Sequence, residues 1–271
     1  MTTATRGVEE VLRRCREEGR AALVGYLPVG YPTVEGSLEA MRVLVEAGCD
    51  IVEVGVPYSD PLMDGEVIQH AVATALSGGS RVDDVFRATA AVREAGAVPL
   101  VMTYWNLVLR RGVDRFAADL AGHGGGGLIT PDLIPDEAQE WLDASDEHGL
   151  DRVFLVAPSS TPERLEKVTR ACRGFVYAAS TMGVTGARTS VDTDARGLVE
   201  RVKEVTDLPV CVGLGVSTGD QAAELAGYAD GVIVGSALVR ALGGDGELHD
   251  RLEALRDLTA ELAQGVRSGR R

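Results

Sequence analysis

Three acids close together in the chain carry the strongest chemical signal. Glu53 lies in Ile51-Val52-Glu53-Val54, a β-branched run in which an ionisable side chain is out of place. Strand alternation puts Ile51 and Glu53 on one face and Val52 and Val54 on the other. A buried carboxyl without a partner costs several kcal/mol, so it is neutralised, paired or put to use. The segment that follows, Gly55-Val56-Pro57-Tyr58-Ser59-Asp60-Pro61-Leu62-Met63-Asp64-Gly65, is pinned by two prolines and offers Asp60 and Asp64. Taken alone, Asp60 before Pro61 reads equally as an Asx turn, Asp64-Gly65 as a plain turn, and Glu53 as half of a structural ion pair with an arginine. A stiff loop that presents a second carboxylate beside Glu53 is also what paired acid/base chemistry requires.

The elements that must position these acids are written in the hydrophobic pattern. Eight short apolar runs, at 21–27, 50–54, 98–103, 127–130, 152–156, 175–179, 210–213 and 231–234, show little polar alternation, as expected of parallel strands covered on both faces. Helix signals fall between them. Leu38, Met41, Leu44 and Val45 form a stripe that begins after Ser37 and stops at Gly48, Thr161-Pro162 is an N-cap followed by proline, and Thr218 to Gln221 fits a capping box. Leu248, Leu252, Leu255, Leu258 and Leu262 make a long closing helix, and residues 8–18 an extra helix before the first strand. The alternation predicts an α/β fold, a (β/α)8 TIM barrel with an extra N-terminal helix; a doubly wound sheet is the competing architecture. No linker interrupts the pattern, so one domain is expected over 1–271, with flexible ends at 1–6 and 265–271. The glycines at 122 and 124–127 read as a loose helix-to-strand turn that makes no special demand on glycine, and that loosens the fourth strand.

Composition removes several classes of function. The 271 residues carry a net charge of −14 and only 4% aromatics, which leaves no basic footprint or stacking platform for nucleic acid. No apolar run reaches the ~18 residues of a membrane span, and the N-terminus has no signal-peptide core. Cys15, Cys49, Cys172 and Cys211 show no CxxC spacing, so neither a disulfide frame nor a zinc site is expected, and a reducing, cytoplasmic setting is.

A barrel places its chemistry where strands end. The predicted ends carry Leu27-Pro28, Glu53, Thr103-Tyr104, Pro131-Asp132, Ala157-Pro158, Tyr177, Gly213 and Gly235. Gly213-Leu214-Gly215-Val216-Ser217 and Gly235-Ser236-Ala237, with Met182 to Gly186 before them, suggest backbone N–H groups that hold a phosphate. The two lysines, Lys167 and Lys203, fall in predicted helices, and His70, His123, His148 and His249 in helices or turns. A Schiff-base or metal-dependent aldolase needs such groups at the mouth. A carbon–carbon lyase on this chain would therefore rely on carboxylates.

At this point the chain resembles a known family. Glu53 to Gly65 resembles the signature of the tryptophan synthase α subunit family, as do Tyr26-Leu-Pro-Val-Gly-Tyr-Pro32, Met102-Thr-Tyr-Trp-Asn106, Pro131-Asp-Leu-Ile-Pro135, Ser180-Thr-Met-Gly-Val-Thr-Gly186, Gly213 to Ser217 and Gly235-Ser236. The likeness spans roughly residues 8 to 262. It implies a lyase that cleaves indole-3-glycerol phosphate to indole and glyceraldehyde 3-phosphate in tryptophan biosynthesis. It implies no cofactor in this chain, with pyridoxal phosphate only in a partner β subunit within an α2β2 complex. By resemblance Glu53 is the acid/base, Asp64 the carboxylate that accepts from the indole N1–H, and Tyr177 the active-site tyrosine near the reacting carbons. Tyr26 and Tyr104 wall the indole pocket, and Thr185 and Gly186 lie on a loop that closes over substrate. Gly186, Gly213, Gly215, Gly235 and Ser236 hold the phosphate end. Pro57, Asp60, Asn106 and Asp132 belong to communication between loops and with the partner. The chain departs from the pattern where Leu107, not proline, follows Asn106. Two other readings stay open on the sequence: a stand-alone lyase that releases free indole, and a non-catalytic phosphate-binding regulatory subunit.

Overall fold

In the computed structural model, residues 7–179, 193–244 and 246–269 are described. The strands are β1 (Ala22–Pro28), β2 (Ile51–Gly55), β3 (Val98–Met102), β4 (Gly127–Ile129), β5 (Asp151–Val153), β6 (Leu155–Val156), β7 (Val176–Ala179), β8 (Val210–Gly213) and β9 (Gly231–Val234). All pair in parallel, in the order β5-β4-β3-β2-β1-β9-β8-β7-β6. β5 and β6 are the predicted fifth stave, interrupted at Phe154. Its first half pairs with β4 and its second with β7, and the Phe154 carbonyl accepts from Tyr177 N at 3.2 Å. Eight staves thus close through Phe154 into a (β/α)8 barrel.

Around the sheet run α2 (Val34–Ala47), α3 (Glu66–Ser77), α4 (Val82–Ala95), α5 (Trp105–Arg111), α6 (Val113–Gly122), α7 (Gln139–Glu147), α8 (Pro162–Ala171), α9 (Thr193–Lys203), α10 (Gly219–Ala226), α11 (Ser236–Leu242) and α12 (Leu248–Ser268). Thr161 caps α8 and Thr218 caps α10, as their sequences predict. The cap of α2 is Thr33, not Ser37. Thr33 Oγ1 accepts from Gly36 N, and Ser37 lies inside the helix with its hydroxyl turned to the Val34 carbonyl and Gly30 N. The Thr33 cap starts the helix a turn earlier, and the first turn, Val34-Glu35-Gly36, carries no apolar stripe to announce it. α12 also runs further than expected. Residues 265–268 are helical and Val266 is buried, so that stretch is docked rather than a loose end.

The extra helix α1 (Val8–Glu17) plugs the end of the barrel where strands begin. Its Val8, Val11, Leu12 and Cys15 pack on the inward residues Ala22, Val24, Ile51, Val98 and Cys211. Three acids at strand starts tie it down. Asp151 accepts from Val8 N, Asp230 pairs with Arg16, and Asp50 holds Arg20 in a two-pronged ion pair. With that end sealed by apolar side chains, the opposite end is left for ligand.

The glycine run before β4 is tight rather than loose. A Cβ at Gly125 would stand 2.9 Å from the Leu120 carbonyl, and one at Gly127 would overlap the Asp151 carbonyl. The backbones of β4 and β5 approach too closely there for any side chain, a demand that spacing in sequence cannot reveal.

Candidate active site

Glu53 occupies the third position of β2, in register with Tyr26 of β1 and Leu100 of β3. Alternation works as the sequence requires. Ile51 belongs to the barrel interior and Val52 and Val54 to the outer layer under the helices, so Glu53 points inward. Its carboxyl is 1% exposed, and among the described residues Oε1 has no hydrogen-bond partner. The arginine partner of a structural ion pair is absent among those residues. Burial alone raises its pKa to about 8, so at neutral pH Glu53 holds a proton that it can donate.

Asp64 reaches the same mouth from the loop that joins β2 to α3. Burial raises its pKa, and a hydrogen bond from the Tyr104 hydroxyl opposes that by favouring the anion. Tyr26 and Tyr177 complete the cluster. Both phenols are pushed well above their usual pKa, first by burial and then by the fields of Glu53 and Asp64, so both stay protonated donors. Tyr26, Val56, Asp64, Met102, Thr103, Tyr104 and Pro131 line one pocket between β1, β2, β3 and β4.

The other predicted residues divide. Pro57 is buried at the exit of β2, while Asp60 is exposed and takes the Ser59 hydroxyl at 2.6 Å. Asn106 is exposed on α5, and the half-buried Leu107 beside it packs against the core. Asp132 caps α5 by accepting from Trp105 N at 3.0 Å. Gly213 has a packing reason to be glycine: a Cβ there would lie 2.6 Å from the Tyr177 hydroxyl. Gly235 lies against the Tyr26 ring, and Ser236 opens α11. Gly215 has φ +63° in the loop after β8. Thr185 and Gly186, with the motif from Ser180, lie outside the described residues. Sequence reasoning missed Gly55, whose absent side chain leaves room for the Tyr26 hydroxyl, and Tyr58, whose ring lies 4.9 Å from that of Tyr104. Both sit in the loop segment that drew attention for its acids. The exposed Leu62 and Leu109 were missed as well, since nothing in a single leucine marks exposure.

Neither lysine serves the mouth. Lys167 on α8 pairs with Asp136, and Lys203 on α9 with Asp230. The cluster of three metal-type ligands among the described residues, Asp114, Glu147 and His148, belongs to helices α6 and α7 and their ends, with no member at a strand end. The four cysteines are buried and none forms a disulfide among the described residues; burial pushes the thiols of Cys15, Cys49 and Cys172 upward, to about 12 for Cys15 and Cys172. Among the described residues no helix is long and apolar enough to cross a membrane.

An eight-stave barrel whose mouth gathers a buried glutamic acid, a second carboxyl and two buried tyrosines defines a class: barrel enzymes with their ionisable groups at the ends of the strands. The family model described as tryptophan synthase alpha chain matches residues 12–267, and the chain belongs to that family. The alpha chain of Mycobacterium marinum is 68% identical over 253 residues, which cover 93% of this chain and 92% of the relative. That of Mycobacterium tuberculosis strain H37Ra is 64% identical over 259 residues, covering 96% and 94%. A solved structure of M. tuberculosis tryptophan synthase superposes with a TM-score of 0.91 at 63% identity, over 97% of this chain and 99% of that one. A tryptophan synthase complex from Pyrococcus furiosus gives 0.82 at 31% identity, over 90% and 98%. The chain is thus a lyase of tryptophan biosynthesis that acts on indole-3-glycerol phosphate.

Proposed function

We propose that Glu53 and Asp64 divide the cleavage between them. Glu53, protonated at neutral pH, delivers a proton to C3 of the indole ring. The ring becomes an indolenine whose positive charge spreads to N1, where Asp64 accepts the N1–H and stabilises it. The Glu53 carboxylate then takes the proton of the side-chain hydroxyl. The C3–carbon bond breaks, its electrons restore the aromatic ring, and the departing carbon becomes the aldehyde of glyceraldehyde 3-phosphate. One positioned acid/base group supplies ~10²–10⁴-fold, or roughly 3–5 kcal/mol of barrier.

The observation that carries this reading is the fully buried Oε1 of Glu53 on the inner wall of the barrel, unpartnered among the described residues and close to the same two tyrosines that feel Asp64. An idle carboxyl would not be kept there. The retention of both acids speaks against a non-catalytic regulatory subunit. Tyr177 and Tyr26 wall the reacting end, and Gly215, Gly235, Ser236 and Gly186 grip the phosphate through backbone N–H groups. Gly213 belongs with them by its place at the end of β8.

The partner in this reading is a β subunit in an α2β2 complex, which holds pyridoxal phosphate and consumes the indole. This chain's two lysines lie on outer helices, each in an ion pair, so no Schiff base is available at the mouth. The exposed Leu62, on the loop that carries Asp64, and the exposed Leu109 on α5 offer the partner apolar contacts, and the exposed Asn106 a polar one. The whole chain acts as one domain in the cytoplasm. The test is direct: purified chain is mixed with indole-3-glycerol phosphate, with and without a β subunit, and indole is followed. Cleavage that rises on adding the β subunit is expected. Full activity alone would favour the stand-alone lyase, and no indole in either mixture would overturn the reading.

A further inference from the structure

We propose that Tyr104 is a positioning residue: its hydroxyl gathers the backbone of Leu62 and Met63 onto the end of β3, and so fixes where the adjoining Asp64 stands before substrate arrives. This rests on the assignment of Asp64 as the acceptor of the indole N1–H.

The phenol has one proton and two lone pairs. Leu62 N donates to it at 3.0 Å and Met63 N at 3.2 Å, which occupies both lone pairs and leaves its proton free to favour the charge of the adjoining Asp64. Both lone pairs are therefore spent on consecutive residues of one loop, next to Asp64. The ring meets the other arm of that loop, with Tyr58 at 4.9 Å between centroids. Tyr104 itself is held from the far side. It is the N-cap residue of α5, and the next amide, Trp105 N, is fixed by both oxygens of Asp132 at 3.0 and 3.1 Å. The chain of contacts runs from the loop after β4, through the start of α5, to the carboxylate that must meet N1. A wall residue would need only its ring; this one uses its hydroxyl.

Tyr26 of β1, Tyr104 and Tyr177 of β7 all feel the charge of Asp64, Tyr26 and Tyr177 also feel Glu53 of β2, and Asp132 acts on Tyr104 in turn. The Tyr104 hydroxyl stabilises the charged form of Asp64 against burial. Its loss raises the pH at which Asp64 gains a proton, so the acid limb of the rate profile moves up.

The experiment compares Tyr104→Phe, Asp64→Asn and the double variant with the parent chain, each with its β subunit, by steady-state cleavage of indole-3-glycerol phosphate. Phenylalanine keeps the ring and the Tyr58 contact. A positioning role predicts kcat lower by ~10–100-fold, as for a misplaced catalytic group. KM stays within about twofold, since the wall is intact, and the acid limb of kcat is displaced upward. The double variant is no slower than Asp64→Asn. Wild-type kcat and pH profile in Tyr104→Phe, or losses that multiply in the double variant, overturn the proposal and leave the role of Asp64 standing. Full activity in Asp64→Asn would bring down that role and the proposal with it. Should Tyr104→Phe fail to fold, 3-fluorotyrosine at position 104, a stronger donor of the same shape, moves the acid limb down, and an unmoved limb overturns the proposal.

Discussion

The Tyr177 hydroxyl fills the space that a side chain at Gly213 would need, with 2.6 Å between it and a Cβ placed there. Gly213 on β8 thus sets the position of the phenol on the neighbouring β7. Gly213→Ala pushes Tyr177 towards the barrel axis and its two carboxylates. Cleavage should fall by about 10–100-fold, as for displacements near 1 Å in a preorganised site. Steady-state kinetics with circular dichroism to confirm folding would check this. An undiminished rate would show that the phenol tolerates the shift.

Glu53→Gln keeps the shape of the protonated side chain but has no proton to give. The rate of indole release should drop by ~10²–10⁴-fold. In the unaltered chain Glu53 must start protonated, so kcat/KM should decline as pH rises through about 8. A profile flat from pH 7 to 10 would remove Glu53 as the acid.

The same carboxyl burdens the fold. Its native pKa is raised, so the native state binds the proton more tightly than the unfolded chain, and stability falls as pH rises. The loss is absent below about pH 4.5, grows between there and about 8, and is complete above. It amounts to about 5 kcal/mol at 1.36 kcal/mol per pH unit. Glu53→Gln escapes it, so the variant should match the parent near pH 4.5 and be clearly more stable at pH 9. Urea unfolding at the two pH values tests the sign. A difference that shrinks with rising pH would contradict it.

Asp50 at the closed end of the barrel accepts both arms of Arg20, at 2.8 and 2.9 Å, and Leu23 N at 3.0 Å. The pair is largely buried, so Asp50→Ala leaves the guanidinium with only the half-exposed Glu18 as a charged partner, at a cost of about 3 kcal/mol, the low end for a broken buried pair. The urea midpoint should drop accordingly while kcat in native buffer stays unchanged, because the site is at the other end. A fall in kcat without loss of stability would argue for coupling along the barrel.

Two glycines of one run should behave oppositely. Gly127→Ala drives a Cβ into the Asp151 carbonyl, a backbone atom that cannot turn aside, and should cost about 3 kcal/mol, near the top of the usual range for overpacking. Gly122 ends α6 with open space around it, and Gly122→Ala should be neutral or stabilising by up to about 1 kcal/mol. Thermal unfolding of the two variants side by side decides the matter, and equal effects would refute the packing account.

Much of this was open to reading in the residues alone. Ile51, Glu53 and the flanking valines obey a period of two, so the inward direction of the acid followed from local geometry as soon as the run was a strand. The apolar stripes, the caps at Thr161 and Thr218, and the alternation of strand and helix gave the barrel for the same reason: each is a short-range consequence of backbone geometry. The start of α2 and the end of α12 escaped because end turns are held by single hydrogen bonds and docking, which leave little periodic trace.

What the sequence determined by itself is therefore the type of each side chain and the face it presents, including two carboxyls bound for one end of the barrel. Tertiary structure alone decided how those groups feel one another. The shift of Glu53 to about 8, the hydroxyl of Tyr104 on Asp64 and the fit of Tyr177 over Gly213 each join residues from different strands or loops. Desolvation and hydrogen bonding depend on the distances between such partners, and those distances exist only once the barrel has closed.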